Sequence, residues 1–163
     1  MSSVTYTDFI EAAKNFIEIS NRCCDGWKFI EHDKDKCYLR KETFLNYKNG
    51  DYERLLKADY VIFYKESYCV PSFSFNVWNS AGMLLSLDDI RTMSLISINK
   101  KDFYSVVTQQ EHPIFQRPYF IIHPCHTESV LAAFKDKSKN IIVTFLGLVC
   151  PLLNINLPLE YGM

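Results

Sequence analysis

The chain of 163 residues is balanced in charge and rich in apolar side chains: 48% of its residues are hydrophobic, 15% are aromatic and the formal net charge is -1. This apolar content is enough for one ordinary hydrophobic core, and five glycines and six prolines leave little for flexible linkers. We therefore expect residues 1–163 to form a single domain. The balanced charge argues against binding nucleic acid or an anionic membrane surface through charge alone.

The cysteines and the N-terminal sequence predict a cytoplasmic protein. The first residues lack a basic stretch followed by an apolar one, so no secretory signal is indicated. No apolar run reaches the ~20 residues that a membrane span requires. Six cysteines in such a chain are expected to be reduced thiols. Neither Cys23-Cys24 nor the group around Cys125 has the paired spacing of a structural zinc site, so no metal is predicted.

The first half of the sequence predicts a helix followed by an antiparallel meander. Apolar residues at helical spacing predict a helix over residues 7–21, which Thr7 can cap. Alternating or β-branched runs predict four strands, at residues 27–32, 37–44, 60–64 and 73–78.

Two features of this meander are open to interpretation. Residues 46–56 are ambiguous, with a turn at Asn49-Gly50-Asp51 and one helical turn over residues 52–57 as an alternative to strand. The third and fourth strands, near residues 60–78, are expected to present an exposed edge. Unpaired backbone groups at such an edge can bind another chain by strand addition.

The second half of the sequence mixes short helices with one β-prone run. Ser86 and Asp89 form a capping-box pattern that predicts a short helix through about Ser94. A short ordered segment is expected around residues 103–107, and Thr127 with Glu128 is typical of a helix start. Residues 141–149 are apolar on all sides and fit either a buried helix or a strand.

Cys125 is the candidate nucleophile. An apolar, β-prone run over residues 118–122 leads to Pro124, which cannot donate a ladder hydrogen bond, and Cys125 follows directly. This places a thiol at the mouth of a sheet, where rigid scaffolds present reactive groups. The alternative is a cysteine that acts only as a small buried hydrophobe.

Several ordered motifs between residues 67 and 159 resemble those of the autophagy ubiquitin-like-conjugating enzymes. They are Ser67-Tyr68-Cys69-Val70-Pro71, Gln109-Gln110-Glu111-His112-Pro113, Arg117-Pro118-Tyr119-Phe120, His123-Pro124-Cys125, Phe145-Leu146-Gly147-Leu148-Val149-Cys150-Pro151 and Leu157-Pro158-Leu159. The resemblance implies an α+β fold that diverges from the ubiquitin-conjugating enzymes. It has an N-terminal helix, roughly four antiparallel strands and C-terminal helices. It also favours a helix for residues 141–149.

The same resemblance implies an acyl-transfer enzyme of autophagosome formation. Cys125 would carry a ubiquitin-like modifier as a thioester and pass it to a lysine of an acceptor protein. The implied partners are the modifier, its activating enzyme and the acceptor, with recruitment to pre-autophagosomal membranes through these partners. No cofactor is predicted, because a glycine-rich phosphate loop is absent and a separate enzyme performs the ATP-dependent activation.

Tyr68 and His123 are the candidates for assisting Cys125. Ordinary ubiquitin-conjugating enzymes carry a His-Pro-Asn motif several residues before their cysteine, whereas here Cys125 directly follows His-Pro, so that asparagine is absent from its usual place. Tyr68 either lies near the thiol or merely closes a hairpin with its hydroxyl. In an extended segment His123 projects to the same side as Cys125, although a structural histidine bonded to a backbone carbonyl is the alternative.

Three other functions are compatible with parts of this pattern. A lipid-conjugating autophagy enzyme also carries His-Pro-Cys, but it is longer and has acidic insertions. A cysteine hydrolase would need an acid to orient a Cys-His pair. A non-catalytic interaction adaptor would use the sheet edge alone.

Overall fold

The computed structural model describes residues 4–124, 128–134 and 136–162, and the described strands form one antiparallel sheet. In chain order they are β1 (Lys28–Glu31), β2 (Cys37–Asn49), β3 (Tyr52–Lys65), β4 (Val70–Trp78), β5 (Val107–Glu111) and β6 (Pro118–Ile122). Their order across the sheet is β1-β2-β3-β4-β6-β5. The first four strands form the predicted meander, and β5 with β6 adds a hairpin beside β4.

The sheet therefore has six strands where the sequence predicts about four. The β-prone run before Pro124 becomes β6, and it pairs with β4 through Ser74 and Phe75. The strand that pattern reasoning missed is β5, whose sequence Val-Thr-Gln-Gln-Glu is mostly polar and whose side chains are mostly exposed. An edge strand buries little of its own surface, so its sequence carries a weak hydrophobic signal.

The described helices follow the α+β prediction. They are α1 (Tyr6–Arg22), α2 (Leu87–Thr92), α3 (Phe103–Val106), α4 (Glu128–Phe134), α5 (Ile141–Val149) and a short 3₁₀ turn at Leu159–Gly162. The ambiguous apolar segment is the helix α5. Its N-cap is Asn140, whose side chain accepts hydrogen bonds from the backbone N–H groups of Ile142 and Val143.

The cap of α1 is Thr5 and not the predicted Thr7. The Oγ1 atom of Thr5 accepts a hydrogen bond from the Asp8 N–H at 3.0 Å, and Oδ2 of Asp8 accepts one from the Thr5 N–H at 3.1 Å. Thr7 has isoleucine three positions further on, so it cannot form this reciprocal pair. The capping box predicted for Ser86 and Asp89 is confirmed at the start of α2.

Residues 52–57 belong to strand β3, so the helical alternative for them is wrong. Asn49 lies opposite Tyr52 and Leu45 lies opposite Leu56, and β2 and β3 thus continue as one long hairpin. Gly50 closes it in a left-handed conformation with φ of 64°. A ladder partner satisfies the backbone groups of this segment, whereas a single helical turn would leave most of them unpaired.

The prediction that residues 60–78 present an exposed sheet edge for docking is also wrong. β3 pairs with β2 on one side and β4 on the other, and β4 in turn pairs with β6. Both strands therefore lie inside the sheet, and its outer strands are β1 and β5. The prediction failed because the β5–β6 hairpin that covers β4 comes from a distant part of the sequence.

Apolar side chains pack on both faces of the sheet. The larger cluster lies under the helices and includes Phe9, Phe16, Ile62, Phe73, Phe75, Phe120, Phe145 and Leu146. The smaller cluster on the opposite face consists of Tyr38, Val61, Phe63, Tyr119 and Ile121, with Ile114 and Phe115 packed against it. Successive residues of a strand point to opposite faces, so β3 and β6 contribute to both clusters.

Candidate active site

The C-terminal end of β6 brings His123 beside the turn that joins β3 to β4. Because β6 is antiparallel to β4, its last residues lie next to the start of β4. Tyr68 belongs to that turn, and its ring meets the ring of His123 edge to face, with centroids 5.8 Å apart and planes inclined by 77°. Two of the three residues that the sequence singled out are therefore in contact.

The third residue, Cys125, lies outside the described residues, together with His126 and Thr127. Its predecessor Pro124 is described and is buried. The candidate active site therefore consists of the described residues that surround the C-terminal end of β6.

Backbone hydrogen bonds hold both rings in place. The His123 N–H donates to the carbonyl oxygen of Val106 at 2.7 Å, which ties the end of β6 to α3. In the turn, the Tyr68 N–H donates to the Lys65 carbonyl at 3.2 Å and the Cys69 N–H donates to the Glu66 carbonyl at 3.3 Å. Both side chains are half-buried. They are thus supported from below by the sheet while part of each remains open to solvent.

The segment before α1 braces the same turn. The Tyr64 hydroxyl donates to the Val4 carbonyl at 2.6 Å, and the Val4 N–H donates to the Cys69 carbonyl at 3.1 Å. Burial, followed by a hydrogen bond with Cys69, raises the pKa of Tyr64 to about 12, so its hydroxyl remains a donor at neutral pH. These contacts connect the start of the chain to the turn that carries Tyr68.

Cys69, a free cysteine next to Tyr68 in the chain, is a second thiol near the end of β6, and no sequence motif predicts a role for it. Its residue is half-buried, its backbone is left-handed with φ of 53°, and its thiol donates to the Glu66 carbonyl at 3.4 Å. That left-handed geometry closes the turn. Cys69 is therefore the natural comparison for any reactivity assigned to Cys125.

His112 belongs to the motif Gln109-Gln110-Glu111-His112-Pro113, but the sequence alone did not predict its role. It is fully buried on the face of the sheet opposite the helices. Its Nε2 lies 3.0 Å from the Ser74 Oγ, which donates to the Val61 carbonyl, and its Nδ1 accepts the Ile114 N–H at 3.1 Å. These partners assign the proton to Nε2.

The electrostatic surroundings of His112 keep it neutral. Burial, reinforced by the positive charges of Arg117 and Lys65, lowers the pKa of His112 to about 4. Its hydrogen bonds connect β4 to the loop between β5 and β6, so it stabilises the hairpin that delivers His123 to the site. A histidine next to proline in a loop is a weak signal, and only the burial reveals this role.

Metal and membrane features can be assessed for the described part of the chain. Within it, no three His, Cys, Asp or Glu side chains converge in a way that could hold a metal ion. None of the described helices is long and apolar enough to cross a bilayer.

Comparison with known proteins places the chain in a sequence family. The model of the autophagocytosis associated protein active-site domain matches residues 8–160. The human ubiquitin-like-conjugating enzyme ATG10 is 34% identical over 121 residues, which make up 66% of this chain and 53% of the human protein. The Arabidopsis thaliana enzyme of the same name is 30% identical, over 63% of this chain and 51% of that protein. The matched region thus spans about half the length of these relatives.

The fold also matches a solved structure. The crystal structure of the autophagic E2 Atg10 superposes with a TM-score of 0.61 over 94% of this chain and 98% of that one, at 16% sequence identity. At this identity the comparison supports the fold alone. The α+β architecture related to the ubiquitin-conjugating enzymes is therefore confirmed.

Proposed function

This chain belongs to the autophagocytosis associated protein family, whose active-site domain it matches over residues 8–160, and from this premise we propose that it carries a ubiquitin-like modifier as a thioester on Cys125. The relatives are named ubiquitin-like-conjugating enzymes, and the proposal extends that chemistry to this chain. The observation that carries it is the contact between Tyr68 and His123 at the strand end that leads to Cys125.

The first step of the proposed reaction charges the cysteine. The Cys125 thiolate attacks the carbonyl carbon of the thioester that joins the modifier to its activating enzyme. The bond to the activating enzyme's sulfur breaks, and that sulfur leaves as a thiolate. One thioester replaces another, so the acyl group keeps its reactivity.

The second step transfers the modifier to the acceptor. A lysine amine of the acceptor attacks the same carbonyl carbon, Cys125 leaves as a thiolate, and the amine loses a proton to solvent. A thiol of pKa about 8.5 is a better leaving group than an amine, so formation of the isopeptide bond is favourable. The partners in this proposal are the modifier, the activating enzyme and the acceptor.

Tyr68 and His123 have separate roles in this proposal. Negative charge develops on the thioester oxygen during each attack, and a hydrogen-bond donor aimed at that oxygen can contribute a factor of about 10² or more in rate. We assign this donor role to the hydroxyl of Tyr68. His123 packs against the Tyr68 ring and positions it.

We further propose that residues 1–163 form one domain and that the protein acts in the cytoplasm. Its partners would recruit it to autophagosome-forming membranes. Two observations support this part. The described strands all join one sheet, and the described cysteines are all free thiols, as a reducing compartment favours.

A charging assay tests the role of Cys125. The chain is incubated with the activating enzyme, ATP and the modifier, and the adducts are separated on non-reducing gels. We expect a thiol-sensitive adduct for the wild type, a thiol-resistant oxyester for Cys125→Ser and no adduct for Cys125→Ala. Cys69→Ala is the matched control and should charge like the wild type.

The other outcomes separate the alternative functions. An adduct that persists in Cys125→Ala and is lost in Cys69→Ala would move the nucleophile to Cys69. Absence of an adduct on any form would reject the conjugating function and favour an adaptor. Rapid release of the free modifier without an acceptor would indicate a hydrolase.

The role of Tyr68 is tested on the charged enzyme. Tyr68→Phe keeps the ring beside His123 but removes the hydroxyl, so we expect normal folding and a discharge to acceptor lysine that is slower by about 10²-fold. Discharge is measured in a single turnover after the activating enzyme is quenched. An unchanged rate would show that the hydroxyl only closes the turn.

A further inference from the structure

A cavity of about 210 Å³ opens between the helix-bearing face of the sheet and the C-terminal segment. The chain after α5 folds back over it, because the Ile155 N–H donates to the Cys150 carbonyl at 3.0 Å and Asn154 adopts a left-handed φ of 56°. The outer wall is the irregular stretch from residue 154 to residue 158. The inner wall is formed by Trp27, Tyr60, Phe73, Leu146 and Cys150, all of them buried.

Two of the polar groups on this inner wall, a hydroxyl and a thiol, have no hydrogen-bond partner among the residues that the structure describes. They are the hydroxyl of Tyr60, whose residue is 3% exposed, and the thiol of Cys150, whose residue is 5% exposed. Burial raises the pKa of the Cys150 thiol to about 11, and burial together with Cys150 raises the pKa of Tyr60. Both groups therefore keep their protons at neutral pH and can donate.

The charged groups near the mouth of the cavity satisfy each other. Lys41 Nζ lies 2.9 Å from Asp25 Oδ1, and the Tyr161 hydroxyl donates to Asp25 Oδ2 at 2.7 Å. No uncompensated charge remains on these residues to attract an ion. Burying a charged ligand against the apolar inner wall would be unfavourable, so a neutral occupant fits best.

We propose that this cavity binds a small neutral molecule with one aromatic ring and an oxygen that accepts a hydrogen bond from Tyr60. An apolar cavity of about 150 Å³ accommodates benzene, so the larger volume here leaves room for a ring with a polar substituent. The rings of Trp27 and Phe73 provide surfaces for aromatic packing. A mostly apolar wall with a few convergent donors is the usual composition of a ligand site.

This site is separate from the proposed conjugating site. Tyr60 lies within β3, whereas Tyr68 lies in the turn after β3, and neither Tyr68 nor His123 lines the cavity. The inference therefore does not depend on the proposed function, and a failure of either can be recognised without the other.

The test compares two probes of nearly the same shape. p-Cresol has the required hydroxyl, and p-xylene replaces it with a methyl group. The chain contains two tryptophans, so Trp78→Phe leaves Trp27 in the cavity wall as the only indole reporter. We expect saturable changes in Trp27 emission, with p-cresol binding about fivefold more tightly than p-xylene, since one neutral hydrogen bond contributes about 1 kcal/mol.

Two variants in the same background make the result specific. Tyr60→Phe should reduce the affinity for p-cresol to that for p-xylene and leave p-xylene binding unchanged. Thr43→Phe fills the cavity from the half-buried surface of β2 and should abolish binding of both probes. Circular dichroism checks that each variant is folded.

Three outcomes would overturn the proposal. They are an emission change that does not saturate, equal affinities for the two probes in the wild-type cavity, and p-cresol binding that is either unchanged in Tyr60→Phe or retained in Thr43→Phe. A crystal structure or NMR shifts placing p-cresol next to Tyr60 and Cys150 would establish it.

Discussion

The two faces of β3 and β4 are both buried, yet different interactions hold them. On the helix-bearing face, Ile62, Phe73 and Phe75 are members of the larger apolar cluster. On the opposite face, Asp59 and Ser74 are as buried as these residues and depend on specific hydrogen bonds. The first face is stabilised mainly by the apolar area it removes from water, whereas on the second face Asp59 and Ser74 also require hydrogen-bond partners.

Asp59 shows what the polar face requires. Its carboxylate accepts hydrogen bonds from Nε and Nη2 of Arg40, at 2.8 and 3.1 Å, and from the Tyr119 hydroxyl at 2.8 Å. Arg117 then donates to the Tyr119 hydroxyl at 3.1 Å. Four residues from three strands and a loop are thereby fixed relative to one another. A network of this kind confers geometric specificity, since each member must be placed to meet its hydrogen-bond partners.

The comparison predicts the largest loss of stability on the apolar face. Phe75 is 1% exposed, and its ring centroid lies 5.5 Å from that of Phe120. Phe75→Ala should lower the free energy of unfolding by about 3–5 kcal/mol, because it removes buried area and leaves a cavity. Urea unfolding at neutral pH measures the change.

A phenylalanine outside the core provides the control for this prediction. Phe44 is 67% exposed on β2, so Phe44→Ala should change the free energy of unfolding by less than about 0.5 kcal/mol. Similar losses for the two variants would mean that Phe75 does not lie in a packed core.

A smaller, pH-dependent loss is predicted on the polar face. Folding lowers the pKa of His112 from 6.5 to about 4. His112 therefore binds a proton more readily in the unfolded chain than in the folded one. The stability linked to neutral His112 is complete above the unfolded pKa and is lost as the pH falls toward about 4. The loss amounts to about 3 kcal/mol, since each unit of pKa shift corresponds to about 1.4 kcal/mol.

Urea unfolding between neutral pH and pH ~4 tests this prediction. His112→Gln should flatten the dependence of stability on pH over this interval relative to the wild type. His32 is exposed, so His32→Gln is the matched control and should retain the wild-type pH dependence. An identical dependence in the wild type and His112→Gln would contradict the assignment.

Local sequence signals correctly predicted much of the fold. The strand cores at residues 60–64 and 73–78 and the capping box at Ser86 are confirmed. The alternation of apolar and polar residues along β4 places the two kinds of side chain on opposite faces of the sheet. It did not show that the Ser74 face is buried, because the loop carrying His112 comes from far along the chain.

The candidate site was predicted in part. The motifs led to Tyr68 and His123, which are in contact, while Cys125 remains a proposal. His112 and the cavity near Cys150 were not predicted. Trp27, Tyr60 and Cys150 lie far apart in the sequence, and no short motif connects them.

The sequence by itself determined the family, the main strands and helices, and the candidate residues Cys125, Tyr68 and His123. These depend on local periodicity, caps and ordered motifs, which act within a few neighbouring residues. Only the tertiary structure decided that β5 and β6 cover β4, that its polar face is buried, and that a cavity lies beneath the C-terminal segment. Each of these features depends on contacts between residues distant along the chain, and a local pattern does not specify which distant segment will supply the partner.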